Sequence, residues 1–200
     1  MAEAAVASAS GVLAAVLAGG AASRLGGRDK GLVVWRGREL VCWSVEAMAN
    51  QVDEVLIVAN RHLGDYARHA RVVPDGNAGH RGPLEGIATA LRVTRQPLVL
   101  VVPVDCPQPP ADLARRLRSA LDLTCRAAVA HDGERRQPLF ALYDASFADS
   151  AQKAAQEDWP VWRWQNSIGV AEVDFHDCAR RFRNLNSAAD FEALDDIQHE

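Results

Sequence analysis

Glycines and basic side chains are concentrated in one segment of the chain, from Leu17 to Lys30. Its sequence is LAGGAASRLGGRDK, in which the glycines are Gly19, Gly20, Gly26 and Gly27 and the cations are Arg24, Arg28 and Lys30. Glycines leave backbone N–H groups open to phosphate oxygens, and the cations add positive charge to the same loop. A triphosphate requires both kinds of group, because it carries several negative charges. The segment therefore predicts a site for a nucleoside triphosphate.

This segment also has a simpler interpretation as a glycine-rich surface loop. It contains neither the GxxxxGK[ST] pattern of a Walker A loop nor the GxGxxG pattern of a dinucleotide-binding fold. However, it follows the first predicted strand directly, and doubly wound sheets bind their ligands beyond the carboxyl ends of the strands. That position and the spacing of the cations favour the phosphate site.

A second candidate is Asp105, in the sequence VVPVDCP at the end of the most apolar predicted strand. An unpaired anion at that depth costs several kcal/mol, by order of magnitude. A divalent cation would remove this cost, since Mg²⁺ prefers one or two carboxylates together with phosphate oxygens and water. The alternative is a cap for the helix predicted near Pro110, but Asp105 lies too early in the chain for that. We therefore predict that Asp105 is a magnesium ligand.

A third candidate is Asp75, which follows another predicted strand and precedes the sequence GPLEG from Gly82 to Gly86. Asp75 could accept hydrogen bonds from a base or support the metal, although an Asx-turn is the commoner role of an Asp before Gly. The glycines flank a predicted helix N-terminus, whose free amides can hold a base edge or a phosphate.

The elements that must position these residues alternate between short β-branched runs and amphipathic helical stretches, which is typical of a parallel α/β sheet. The predicted strands are residues 11–17, 54–59, 71–73, 97–102, 127–131, 137–143 and 169–175. The predicted helices are residues 40–49, 82–94, 110–121, 145–157 and 188–194, with a further short helix before residue 71.

Composition limits the function classes. The 200 residues and 48% hydrophobic content fit one globular domain, predicted at residues 11–200 behind a flexible tail at 1–10. No apolar run approaches the roughly 20 residues of a membrane helix. The net charge of −4 argues against a protein that coats nucleic acid. Four separated cysteines without an export signal predict free thiols in the cytoplasm and no structural zinc site.

Other residues give weaker signals. His131 and Asp132 fit a hairpin turn better than a catalytic dyad. Three tryptophans could pack a ring of the acceptor, but they are more often core or interface residues; they are Trp159, Trp162 and Trp164. The sequence shows no Ser/His/Asp order or Cys/His pair that indicates a nucleophilic site.

Taken in order, three motifs resemble the molybdenum cofactor guanylyltransferases: LAGGxxSRxGGxDKGL, PDxxxxxxGPLEGI and PxDxP. The likeness continues in ANRH, HDGE, QP and NLNS, which begin at Ala59, His131, Gln137 and Asn184, so that it extends from Val12 to about Leu194. This family belongs to the nucleotidyltransferase superfamily. The resemblance implies a Rossmann-like, three-layer α/β/α fold with a mostly parallel sheet.

The resemblance also implies an activity and its residues. The family transfers GMP from GTP to molybdopterin carrying molybdenum (Mo-molybdopterin), with release of pyrophosphate, and uses Mg²⁺. The implied catalytic residues are Arg24, Lys30 and Asp105, with Asp105 on the metal. The implied nucleotide contacts are Leu17, Ala18, Gly19, Gly20, Lys30, Asp75, Gly82, Pro83, Leu84 and Asp105. Asn184, Leu185 and Asn186 would lie on the molybdopterin side of the cleft.

The sequence departs from the family pattern at a few positions. Leu25 replaces the usual Met, the usual PCDTP is PVDCP, and Val58 stands where some relatives have Asn. The first two changes keep the charged and glycine positions, whereas a base or ribose contact at Val58 would be made differently or be absent. Relatives that use CTP have LAAG where this chain has LAGG, which favours GTP.

Two rival functions stay open at this point. One is a cytidylyltransferase or sugar-phosphate nucleotidyltransferase of the same fold, and the other is a non-catalytic molybdopterin carrier. A carrier has no need of a leaving-group clamp, so the basic residues and Asp105 favour an enzyme. We further predict a monomer that makes transient contacts with molybdenum-insertion and molybdoenzyme-maturation proteins.

Overall fold

The computed structural model describes residues 11–18, 29–76, 82–185 and 190. Its strands are β1 (Val12–Leu17), β2 (Val34–Trp35), β3 (Arg38–Glu39), β4 (Glu54–Val58), β5 (Arg71–Val73), β6 (Leu98–Pro103), β7 (Ala127–His131), β8 (Arg136–Asp144) and β9 (Ala171–Asp174). Its α-helices are α1 (Leu40–Ala49), α2 (Leu63–Tyr66), α3 (Pro83–Val93), α4 (Leu113–Ser119), α5 (Ala148–Gln156) and α6 (Val161–Ile168). None of the described helices is long and apolar enough to cross a membrane.

The described strands form a seven-stranded sheet in the order β5-β4-β1-β6-β8-β7-β9, beside a small hairpin of β2 and β3. The pairs β5–β4, β4–β1, β1–β6 and β7–β9 are parallel, and β8 runs antiparallel to both of its neighbours. The mostly parallel sheet confirms the predicted fold class. After β1, the strands β4 and β5 are added on one side of it, and β6 is then added on its other side. The strand order therefore reverses beside β1, where such sheets bind ligands.

The central strand β1 is buried on both faces because its side chains alternate between two cores. Val12, Ala14 and Val16 pack with residues of α1 and α4, while Leu13 and Ala15 pack with residues of α3, α5 and α6. The helices therefore cover both faces of the sheet and make three layers.

Most predicted elements are confirmed, and the helix at 40–49 and the strands at 71–73 and 127–131 agree to the residue. The predicted helix at 110–121 begins only at Leu113, because Pro110 to Asp112 form a turn in which the Leu113 N–H bonds the Pro110 carbonyl. The predicted helix at 145–157 is a 3-10 turn (Ala145–Phe147) followed by α5. The predicted tail at 1–10 and nearly all of the predicted helix at 188–194 lie outside the described residues.

Candidate functional site

Lys30 and Asp105 form an ion pair at the carboxyl end of β6. The Lys30 Nζ lies 2.8 Å from Asp105 Oδ2, and the two side chains are only 18% and 14% exposed. Asp105 Oδ1 is buried, and no atom of the described chain donates a hydrogen bond to it. Lys30 thus supplies a cation to this carboxylate, but the pair satisfies only one of the two oxygens. The other is a strong acceptor without a donor, which is costly unless a ligand or ion engages it.

The backbone around Asp105 is bonded to three other parts of the chain. The Val104 N–H donates to the Leu17 carbonyl (3.1 Å) at the end of β1. The Ser44 hydroxyl of α1 donates to the Val104 carbonyl (3.3 Å), and the Leu185 N–H donates to the Asp105 carbonyl (2.8 Å). Asp105 is therefore fixed relative to the end of β1. Leu185, which the resemblance places on the molybdopterin side of the cleft, is bonded to Asp105 directly.

Lys30 is held by a turn that is fixed to the core. It begins a 3-10 turn (Lys30–Leu32), which Asp29 caps by accepting from the Gly31 N–H at 3.1 Å. The same carboxylate oxygen accepts from the Tyr66 hydroxyl. Burial, helped by this bond, raises the pKa of Tyr66, so the phenol stays protonated and keeps donating. This support for Lys30 was missed at the sequence level, because nothing near Asp29 in the chain points to Tyr66.

Gly31 is required where the turn meets this phenol. A Cβ added at Gly31 would lie 2.3 Å from the Tyr66 hydroxyl oxygen and 2.9 Å from its ring. Contacts this short cannot be tolerated, so only glycine allows the turn to pack against Tyr66 and to present Lys30 to Asp105.

Asp75 is held by Asn60. The Asp75 N–H donates to Asn60 Oδ1 (3.0 Å), and the Asn60 amide donates in return to Asp75 Oδ1. Asn60 lies two residues after the end of β4, a position that could have marked it as a candidate, although the sequence gives no sign of its contact with Asp75. The residue at 77 that an Asx-turn would use lies outside the described residues.

The predicted site residues therefore meet along one edge of the sheet. Asp75, Asn60, Ala18 and Asp105 follow β5, β4, β1 and β6, which are adjacent in that order. The edge is continuous, since the Ala18 N–H donates to the Val58 carbonyl (2.9 Å) and the Ala59 N–H to the Val73 carbonyl (3.1 Å). Three strand spacings separate Asp75 from Asp105, which is about 14 Å. One magnesium ion cannot bridge such a distance.

The N-terminus of α3 lies beside the same edge of the sheet, over the end of β1. Gly82 precedes the helix with φ 79° and ψ −179°, a conformation that favours glycine, and Pro83 occupies the first turn, where its missing N–H costs nothing. Leu84 is 1% exposed and packs in the core beneath this edge. A Cβ on Gly86 would lie 3.1 Å from Leu17 Cδ2, which shows how closely α3 packs onto β1.

Val58 lies beneath α3 and is only 3% exposed. Its Cγ1 is 3.6 Å from the Cβ position of Gly86. The Val58 side chain thus packs against α3. The candidates Gly19, Gly20, Arg24 and Asn186 lie outside the described residues.

The weaker candidates belong to the framework. Asp132 accepts from the backbone N–H groups of Glu134 (2.9 Å) and Arg135 (2.8 Å), which confirms a hairpin turn between β7 and β8. Trp164 is fully buried and donates to the Ser150 hydroxyl at 3.0 Å, as expected of a core residue. Trp162 is 54% exposed on the same helix.

Comparisons with known proteins agree with this geometry. The profile of the MobA-like NTP transferase domain matches residues 14–168. A protein of Shewanella frigidimarina named molybdenum cofactor guanylyltransferase is 40% identical over 179 residues, covering 87% of this chain and 90% of that protein. One of the same name from Burkholderia lata is 41% identical over 191 residues, covering 90% and 93%.

Solved structures show the same fold. Molybdopterin-guanine dinucleotide biosynthesis protein A from Archaeoglobus fulgidus superposes with a TM-score of 0.77 at 22% identity, covering 94% of this chain and 98% of that one. A nucleotidyl transferase from Methanothermobacter thermautotrophicus gives a TM-score of 0.74 at 18% identity, covering 94% and 99%. At these identities the likeness shows the fold alone.

Proposed function

This chain belongs to the family of MobA-like NTP transferase domains, and we propose that it transfers GMP from GTP to Mo-molybdopterin, with release of pyrophosphate. The names of relatives about 40% identical over most of the chain support this reaction. The observation that carries it is the Lys30–Asp105 pair at the carboxyl end of β6, with one carboxylate oxygen buried and unpartnered among the described residues.

Asp105 fits a magnesium ion. A hard cation that prefers oxygen ligands suits a fixed carboxylate with an unsatisfied oxygen, and Mg²⁺ takes its remaining ligands from phosphates and water. Asp105 Oδ1 would hold the ion. When bound there, Mg²⁺ would offset the negative charge of the phosphates and of the departing pyrophosphate.

The protein itself supplies positioning and positive charge. The terminal phosphate of molybdopterin is already an anion near neutral pH, so attack on the α-phosphorus of GTP needs no strong general base. Lys30 places an ammonium within 2.8 Å of Asp105, where it stabilises charge on the phosphate oxygens. Arg24, six residues before Lys30 in the chain, is proposed to clamp the triphosphate.

The nucleoside is proposed to lie at the other end of the same edge. Asp75, oriented by Asn60, would accept hydrogen bonds from the ribose or base, about 14 Å along the sheet from Asp105. The backbone at Gly82, Pro83 and Leu84 would contact the base, together with Leu17, Ala18, Gly19 and Gly20. The LAGG sequence supports GTP as the substrate, because its second glycine leaves room for the guanine edge.

The test is pyrophosphate release from GTP, CTP and UTP, each with and without Mo-molybdopterin. We expect release only with GTP, Mo-molybdopterin and Mg²⁺ together, and loss of release with a chelator. Release from CTP instead would favour the cytidylyltransferase alternative. Tight binding of molybdopterin without release from any nucleotide would favour the carrier alternative.

We also propose a cytoplasmic monomer that makes transient contacts with molybdenum-insertion and molybdoenzyme-maturation proteins. The net charge of −4 supports a protein that binds no nucleic acid. Light scattering of the purified chain tests the monomer, and a dimeric mass at micromolar concentration would contradict it.

A further inference from the structure

A cluster of three reactive side chains lies outside the proposed transferase site. Cys42 Sγ is 3.4 Å from His69 Nδ1, and His69 Nε2 is 2.8 Å from Glu39 Oε2. Glu39 directly precedes α1, Cys42 lies three residues later in that helix, and His69 follows α2. His69 and Glu39 are 17% and 26% exposed, and Cys42 is also partly exposed, so the thiol is supported by the fold yet accessible.

Two cations border the cluster. Arg38 pairs with Glu46 at 2.8 Å, and Arg68 approaches Glu39 at 3.9 Å. The hydrogen bond to Glu46 raises the pKa of Arg38, and the nearby Cys42 sulfur adds to this rise. Two guanidinium groups therefore lie beside the cluster, each paired with a carboxylate.

The arrangement is that of an activated nucleophile rather than of a metal site. The donor atoms of Glu39, Cys42 and His69 lie within 4.8 Å of one another, which by itself would admit a metal ion. However, the thiol and the carboxylate face different nitrogens of one imidazole, and the lone pairs of these nitrogens point away from each other. An ion on Nδ1 could not also reach Glu39 without rearrangement. A thiol, an imidazole and a carboxylate in series match the nucleophile, the base and the group that orients it.

We propose that Cys42 is a modification site that reacts with low-molecular-weight disulfides. His69 removes the thiol proton through Nδ1, and Glu39 orients the ring and stabilises the resulting imidazolium. The Cys42 thiolate attacks one sulfur of the disulfide, the sulfur–sulfur bond of the reagent breaks, and a mixed disulfide forms. The leaving thiolate takes the proton back from His69 and departs as a free thiol, so the disulfide is the only oxidant required.

The other cysteines provide controls within the same molecule. Cys106 is 2% exposed, and burial raises the pKa of its thiol. Cys125 is partly exposed like Cys42, but its thiol donates to the Ala127 carbonyl (3.3 Å) and no histidine is among its described partners. Cys125 is thus the comparison, because it is partly exposed like Cys42 but has no imidazole among its described partners.

The test is a time course of the full chain with oxidised glutathione at neutral pH, in which the modified peptides are identified by mass spectrometry. We expect Cys42 to form the mixed disulfide about ten-fold or more faster than Cys125. His69→Gln should remove that advantage without changing the rate at Cys125, and Glu39→Gln should reduce it in part. Dithiothreitol should reverse the modification.

Two results would overturn the proposal. One is equal rates at Cys42 and Cys125 in the unmutated chain, a comparison that does not depend on whether a variant folds. The other is stoichiometric binding of Zn²⁺ that shields Cys42 and is lost in His69→Gln, which would show a metal site instead.

Discussion

The Lys30 ammonium lies 2.8 Å from Asp105 Oδ2, although 75 residues separate the two in the chain. Different elements fix the two partners. Lys30 is held through Asp29 and Tyr66, whereas Asp105 is held through the end of β1. The pair is largely buried, and the second Asp105 oxygen has no donor within the described ranges. Burying a carboxylate in this way costs desolvation free energy and contributes little to stability, which is the reason to assign Asp105 to ligand binding.

Asp105→Asn should lower the rate of pyrophosphate release by about 100-fold or more, because the substitution removes the charge that would hold Mg²⁺ while keeping the shape of the side chain. Raising the Mg²⁺ concentration should recover part of the activity if the metal is bound more weakly. The measurement is steady-state pyrophosphate release as a function of Mg²⁺ concentration.

The matched control for Asp105 is Asp112→Asn. Asp112 also pairs with a cation, at 2.6 Å from Arg115, but it lies on the surface at the start of α4. The loss of a surface ion pair costs at most about 1 kcal/mol and should leave pyrophosphate release unchanged. Near-normal activity of Asp105→Asn would remove Asp105 from the catalytic role.

Gly31→Ala should destabilise the fold and lower activity together, since the new methyl group would lie 2.3 Å from the Tyr66 hydroxyl oxygen. Overpacking of this kind costs about 1–3 kcal/mol, and the turn that carries Lys30 would have to move. Urea unfolding and pyrophosphate release are the two measurements. Gly64→Ala is the control, because nothing lies within 4 Å of a Cβ at Gly64 in α2; an equal loss of stability there would contradict the explanation.

Elements set by local patterns could be predicted from the sequence. The strand β5 and the helix α1 were predicted to the residue, because a β-branched run and a helical spacing of apolar residues are local signals. The hairpin of β2 and β3 was missed because each strand has only two residues. Helix α6 was missed because its aromatic residues were interpreted as a cluster around Pro160, which in fact precedes the first turn.

The candidate site was predictable only in its parts. Lys30, Asp75 and Asp105 could be identified as candidates from their residue types and from the predicted strand ends. The contacts that hold them could not be predicted, because Tyr66 and Asn60 come from elements distant in the chain. The spacing of residues carries no information on such contacts. The same limit applies to Cys42 and His69, which are 27 residues apart and meet only because α1 and the end of α2 are neighbours.

Asn60→Ala should weaken GTP binding more than it slows turnover. Asn60 bonds both the backbone N–H and the carboxylate of Asp75, and its loss frees that carboxylate to adopt other orientations. A hydrogen bond of this kind is worth about 1 kcal/mol, so KM for GTP should rise roughly five-fold while kcat changes little. Asn50→Ala is the control, since the side chain of Asn50, which is exposed at the end of α1, bonds the Glu46 carbonyl and no ligand-binding candidate among the described residues. A fall in kcat without a change in KM would place Asp75 at the phosphates instead.

The two tyrosines should not ionise in the folded protein below pH 11. The chain has only Tyr66 and Tyr143, and burial raises the pKa of both. A phenol whose pKa is higher in the folded than in the unfolded state stabilises the fold fully below the unfolded pKa, near 10, and less as the pH rises above it. Each tyrosine should then lower the free energy of unfolding by about 1.4 kcal/mol per pH unit above pH 10.

Absorbance at 295 nm and urea unfolding between pH 8 and 11.5 measure the two effects of tyrosine ionisation together. The phenolate absorbance should rise only as the protein unfolds, rather than with a separate titration of the folded state. Tyr66→Phe and Tyr143→Phe should each make the unfolding free energy fall less steeply with pH, by about one proton. Cys106→Ala removes the buried thiol, whose raised pKa also makes the unfolding free energy fall at alkaline pH. A phenolate signal near pH 10 in folded Tyr143→Phe, whose only tyrosine is Tyr66, would show that Tyr66 is not held protonated, and the support assigned to Asp29 and Lys30 would then be wrong.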